Sequence, residues 1–181
     1  MTRTAHRLLA MAAAFWLGAP SPAIAQAPVE PLTPLVRLLG DWRGVAIGQP
    51  GKGEVMRRYA RVLGGRFIQE TNTSTYSPQD SQRKGEVHEH TGMFSYDKQR
   101  QLLVLRQFHI EGFVNTYHQA SAHGAAVLVF ESEGFENFSN AWRARETYEF
   151  EGEDRFVETF ELAPPGKDYQ VYSRTNFTRQ P

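Results

Sequence analysis

The 181-residue chain contains no cysteine. That excludes disulfides, thiol catalysis and Cys-ligated metals. Charge of one sign is also missing: 20 Lys and Arg are interspersed with 20 Asp and Glu. Nothing resembles the basic stripe of a nucleic-acid binder or a polybasic membrane patch, so neither partner is expected. No apolar run is long enough to span a bilayer. Gly48-Gln49-Pro50-Gly51-Lys52-Gly53 lacks the Gly-Lys-Ser/Thr ending of a phosphate loop and precedes a strand rather than a helix. No serine sits in a nucleophile-elbow context and no triad assembles, so no catalytic residue is assigned.

The N-terminus carries an export signature. Arg3 and Arg7 form a basic region, Leu8 to Leu17 is apolar but short, and Ala23-Ile24-Ala25 is a cleavage site. Residues 1–25 therefore read as a signal peptide, with the mature chain starting at Gln26 and residing in the periplasm or outside the cell. Removing 25 of 181 residues leaves 156, a length that suits one domain with one core. Arg3 and Arg7 leave with the signal, so 18 basic residues then face 20 acidic ones. Without disulfides the fold must rest on its core, and twelve Phe and seven Tyr are available to build it.

Residues 26–34 contain Pro28, Pro31 and Pro34 and read as an extended lead-in. Leu35 to Leu39 fits one or two helical turns, with Thr33 as N-cap, Pro34 at the first helical position and Gly40 as stop. No convincing helix follows. Strand-like segments rich in Val, Phe, Tyr and Thr cover 42–48, 54–63, 66–74, 86–96, 101–110, 113–120, 125–131, 142–150, 155–163 and 168–178. Turn signals separate them, among them Gly51-Lys52-Gly53, Gly64-Gly65, Glu111-Gly112, His123-Gly124, Gly152-Glu153-Asp154 and Pro164-Pro165-Gly166. The segment Glu133 to Asn140 reads as a rim loop. About ten short strands joined by tight turns predict an all-β, antiparallel up-and-down barrel over 35–181, preceded by a short helical plug. Closure removes free edges.

Candidate sites follow from strand parity, because successive side chains point to opposite faces. Gly40-Asp41-Trp42 opens the first strand and Arg179 ends the last. In a closed barrel these ends are neighbours, so Arg179 is expected over the Trp42 indole as a cation–π lid, a structural role. A three-residue loop at Gly152-Glu153-Asp154 places Phe150 opposite Phe156 and Tyr148 opposite Glu158. Trp142, Glu146, Tyr148, Phe150, Phe156, Glu158 and Phe160 then share an inward face, continued by Tyr169, Val171, Ser173, Thr175 and Phe177. Tyr59 and Phe67 are further expected wall residues.

Glu146 and Glu158 are diagonal neighbours in this register. Two readings stand: a polar anchor or acid/base pair inside a cavity, and carboxylates neutralised by inward arginines. His88-x-His90 puts two imidazoles on one face, a spacing a metal can use, and a two-residue Glu111-Gly112 turn would put His109 and His118 on one face as well. A catalytic zinc site needs a third protein ligand. Against metal or haem ligation stands the plain reading of solvated or hydrogen-bonded histidines, and no metal is assigned. Asn72-Thr73-Ser74, Asn137-Phe138-Ser139 and Asn176-Phe177-Thr178 match a glycosylation pattern that carries no meaning in a bacterial host.

Leu38-Leu39-Gly40-Asp41-Trp42-Arg43-Gly44, with the Gly-rich stretch after it and the strand count, resembles the lipocalin-like (calycin) superfamily, and within it nitrobindin and its relatives. Val62-Leu63-Gly64-Gly65-Arg66-Phe67 and Gly92-Met93-Phe94-Ser95-Tyr96-Asp97 are similar to a bacterial group of exported barrels. The resemblance implies a ten-stranded barrel that binds haem in some members through a His near the C-terminus. Lys167 to Pro181 contains no His, and Gly48-Gln49-Pro50-Gly51 stands where that family has Tyr-Pro-Thr. The resemblance thus supports the barrel more than the haem. The resulting expectation is an exported barrel holding a small, largely apolar ligand, with Glu146, Glu158, His90, His109 and His118 as polar contacts. The rivals are a barrel isomerase or hydrolase using Glu146 or Glu158, and a filled barrel acting through its surface.

Overall fold

A computed structural model describes residues 30–78, 84–120 and 126–181. The expected signal peptide, its expected cleavage site and the expected His123-Gly124 turn lie outside the described residues. A 3-10 helix, Thr33–Leu38, leads into ten strands: β1 Gly40–Gly48, β2 Gly51–Val62, β3 Phe67–Tyr76, β4 Glu86–Asp97, β5 Leu102–His109, β6 Val114–Gln119, β7 Val127–Glu136, β8 Arg143–Phe150, β9 Arg155–Ala163 and β10 Gln170–Arg179. Each strand pairs antiparallel with the next, and β1 pairs with β10 to close the barrel. The fold is all-β, as the alternating pattern and turn spacing predict. No helix among the described residues is long and apolar enough to cross a membrane.

The helix and the β8–β9 hairpin seal one end. Leu35, Leu38 and Trp42 are buried there with Phe156 and Phe177. Trp42 meets Phe156 edge-on with ring centroids 4.7 Å apart, and Phe156 stacks on Phe177 at 4.6 Å. The indole Nε1 donates to Leu38 O at 2.6 Å. Arg179 is the register partner of Trp42, and its guanidinium lies 4.2 Å from the ring centroid. The same guanidinium donates to Leu39 O, to Arg37 O at 2.9 Å, to Glu153 O at 2.7 Å and to Asp154 Oδ1 at 3.0 Å. Helix, hairpin and last strand are thereby tied to one side chain. Gly44 permits this packing: a Cβ there would come within 2.6 Å of Thr175 Cγ2 and 2.8 Å of the Phe177 ring.

Local details depart from the sequence reading. Thr33 lies inside the helix and Leu32 is the N-cap, without a side-chain cap bond. The Thr33 hydroxyl instead donates to Glu30 O at 2.6 Å. β7 continues through Gly134 to Glu136, where a rim loop was expected, because the β6–β7 register shifts between Thr116 and Tyr117. A bulge absorbs one residue and lets the strand run on. A second register shift, between Val171 and Ser173, turns the start of β10 over. Val171 therefore faces solvent, and Tyr169 lies on the outer face beneath the Arg143 and Arg145 guanidinium groups.

Candidate functional site

The hairpins β1–β2, β3–β4, β5–β6, β7–β8 and β9–β10 ring the other end, which opens on a cavity of about 340 Å³. Its outer part is lined by Phe113, Phe138, Phe160, Leu162 and Tyr172 with His88, His90 and His109. Deeper lie Arg57, Asn72, Asn115, Tyr117, Glu146 and Glu158. Below them Tyr59, Phe94, Phe130, Tyr148 and Phe156 are packed solid, each with no more than 2% of its surface exposed.

An arginine organises the floor. Arg57 grips Glu158 with a two-pronged fork, Nη1 to Oε1 at 2.5 Å and Nη2 to Oε2 at 2.9 Å. Its Nε donates to Asn72 Oδ1 at 2.9 Å and stands 3.3 Å from Glu70 Oε1. Nη1 also donates to the Tyr59 hydroxyl at 3.2 Å, and the guanidinium rests 4.6 Å from the Phe177 centroid. Burial works against its charge, but Glu158 leads the neighbours that hold the Arg57 pKa well above the ordinary value. Burial likewise opposes ionisation of Glu70, yet Arg57 and then His90 outweigh it and keep that carboxyl below its usual range.

Two buried carboxyls thus share one guanidinium, and a third, Glu146, is left over. It accepts a hydrogen bond from the Tyr148 hydroxyl at 2.7 Å. Burial first, then the charges of Glu158 and Glu70, push its pKa up to about 8. At neutral pH it is mostly a protonated acid, able to donate as well as accept. Beside this polar layer, Asn115 donates to the Tyr117 hydroxyl at 2.8 Å while its Oδ1 is buried without a partner among the described residues.

The histidines divide. His88, His90 and His109 converge at the mouth, with ring centroids 5.2–5.7 Å apart. His88 Nδ1 meets Glu111 at 2.8 Å and His90 Nε2 meets Glu70 at 2.8 Å. Burial and the neighbouring His90 and His88 rings push His109 down to about 3, so it is neutral. His118 belongs elsewhere: it points outward, 3.5 Å from Glu133. The β5–β6 connection explains this correction. His109 N–H donates to Phe113 O and Gly112 N–H to His109 O, so the loop is the three residues Ile110, Glu111 and Gly112, not two. Gly112 sits at φ 87°, as such a loop requires. One added residue sends His118 to the opposite face from His109.

Other expected wall residues are corrected as well: Tyr59 and Tyr148 are buried in the packed layer beneath the cavity and do not line it. Phe67 pairs with Val62 and shares that outward face, while Ile68, Glu70, Asn72 and Ser74 point in. Trp142 precedes β8 and packs behind Phe138, ring centroids 6.2 Å apart, outside the cavity lining. Phe150 lies at the sealed end against Phe156, 5.8 Å away, under the Arg37 guanidinium. Glu146, Glu158, Phe160, His90 and His109 line the cavity.

No family model and no curated protein matches this chain. Among solved structures it is similar to Rv2717c from M. tuberculosis, with a TM-score of 0.62 at 17% identity, over 86% of this chain and 99% of that one. The likeness supports the barrel fold alone.

Haem held from the last strand, as the nitrobindin resemblance implies, does not fit these residues. β10 presents Ser173, Thr175 and Phe177 inward, none of them an iron ligand, and Arg57 occupies the space over Phe177. Arg57 and Glu70 are the functional residues that reading the sequence missed. The signal for Arg57 was present: a two-residue Gln49-Pro50 loop pairs Gly48 with Gly51 and hence Trp42 with Arg57. Taking Gly51-Lys52-Gly53 as the turn hid it.

Proposed function

We propose that the protein is an exported binding barrel that holds one small, largely apolar molecule bearing a hydrogen-bond-donating group. The observation that carries this reading is the floor: a buried Asn115 acceptor without a partner among the described residues and the protonated Glu146 lie beneath aromatic walls. A buried acceptor without a partner is costly until something donates to it. A ligand hydroxyl or amine would do so, while its apolar body packs on Phe113, Phe138 and Phe160. The cavity lies at the small end of the usual range for ligand sites, roughly 300–1,000 Å³, which favours a compact ligand over a macrocycle. The filled-barrel alternative is disfavoured by the cavity itself. The enzyme alternative needs a raised carboxyl beside a histidine, whereas Glu146 bonds Tyr148 and the carboxylate that meets His90 is Glu70.

Native mass spectrometry of protein purified from its own host tests this. A retained small molecule, released by denaturation and lost from an Asn115→Leu variant, is the expected result. The mature mass should begin at Gln26. A chain that carries no small molecule, and that no compact amphipathic compound stabilises in a melting screen, would sink the reading.

A further inference from the structure

The three imidazoles at the mouth are not needed to hold an apolar molecule, and their arrangement suits another purpose. We infer that His88, His90 and His109 form a site for a divalent first-row transition ion such as zinc, its open coordination position facing the cavity. This holds whether or not the small-molecule reading does.

The three histidines each offer a nitrogen, all within 4.8 Å of one another. Nitrogens about 2.05 Å from a tetrahedral zinc stand about 3.3 Å apart. His109 Nδ1 and His88 Nε2 are already 3.3 Å apart, so a small rotation of His90 would complete the set. Metal-binding histidines characteristically give their other ring nitrogen to a carboxylate, which fixes the tautomer and orients the ring. His88 does so to Glu111 and His90 to Glu70, both at 2.8 Å. With those N–H groups donating, His88 Nε2 and His90 Nδ1 carry the lone pairs. The His90 side chain is 8% exposed, and its Nδ1 is buried without a partner among the described residues. A metal ion supplies that partner.

Imidazole ligands suit zinc, copper, nickel or iron and select against calcium and magnesium. Glu86, His88 and Glu111 form a competing three-ligand grouping. It is the weaker one, because Glu111 is already engaged with His88 and is partly exposed. Three imidazoles with one free position also match the ligand count of open zinc sites.

The test uses tag-free full-length protein stripped with a chelator, titrated with Zn²⁺ by calorimetry and with Co²⁺ by visible absorption. One equivalent per chain is expected, with the strong visible bands of four-coordinate Co²⁺. His88→Ala or His109→Ala should weaken binding by more than about 100-fold, and Glu111→Gln by about 10–100-fold. His118→Ala should leave it unchanged. Circular dichroism checks each variant; if His109→Ala does not fold, His109→Gln decides, because His88 belongs to both groupings. Absence of a one-equivalent event would overturn the inference. So would binding that survives His90→Ala and His109→Ala but disappears in Glu111→Gln, which would move the ion to Glu86, His88 and Glu111. None of these outcomes bears on the organic ligand.

Discussion

Replacing Glu146 with Gln should stabilise the empty barrel, and by an amount that depends on pH. Glu146 is 5% exposed. Its carboxyl titrates near 8 when folded against 4.5 ordinarily, because burial and the Glu158 and Glu70 charges disfavour its anion. A raised acid binds its proton more tightly in the folded state, so unfolding gains as the proton is lost. Its stabilising effect is fully present below pH 4.5 and is lost as pH rises to about 8. A difference of about 3.5 units corresponds to roughly 5 kcal/mol over the whole window, and roughly 3 kcal/mol at pH 7. Gln cannot ionise, and its carbonyl can still accept the Tyr148 hydroxyl. The variant should therefore match the parent near pH 4, exceed it by roughly 3 kcal/mol at pH 7 and by roughly 5 kcal/mol above pH 9. Urea titrations followed by far-ultraviolet circular dichroism at those three pH values measure the difference. Titrating groups that do not interact with Glu146 are common to both proteins and cancel. Parallel pH profiles for parent and variant would refute the reasoning and place an ionised, compensated Glu146 in the floor.

Trp42→Ala removes the plug ring and the platform under Arg179 and should cost roughly 3–5 kcal/mol, read as a lower melting temperature; an unchanged melt would remove the plug. Arg57→Met should cost roughly 3–5 kcal/mol, because Glu158 and Glu70 are left buried without their cation. Adding Glu158→Leu to that variant should restore part of the loss in a double-mutant cycle, and strict additivity would show that the fork is not coupled. Hemin should give no tight Soret-shifted complex. If one forms, its axial ligand must be among the mouth histidines and it should vanish when His88, His90 and His109 are all Ala; a complex that persists would point to a tyrosinate ligand.

Strand identity was legible because the signal is local. Alternation of apolar and polar residues marks a half-buried strand wherever it occurs, and all ten segments are strands within a few residues of the expected bounds. The β8–β9 register was legible too, because one short loop at Gly152 fixes it: Tyr148 lies opposite Glu158 and Phe150 opposite Phe156. Glu70 was equally within reach. A Gly64-Gly65 turn pairs Tyr59 with Glu70 and Val62 with Phe67, so Tyr59 and Phe67 could never share a face.

Other parts depended on single residues that local pattern does not fix. A loop of three rather than two residues at Ile110–Gly112 keeps His109 inside and turns His118 out. A shift between Val171 and Ser173 turns Val171 out while Ser173, Thr175 and Phe177 face in. Because the side-chain period is two, each such residue inverts everything beyond it. Local pattern alone is enough to specify ten short strands, a plug and one aromatic face bearing two carboxyls. Only barrel closure decided what those carboxyls meet. It brings Arg57 on β2 against Glu158 on β9, 101 residues away. Charge compensation acts through space, and in this chain the Arg57–Glu158 pair reaches between strands β2 and β9, which only closure brings together.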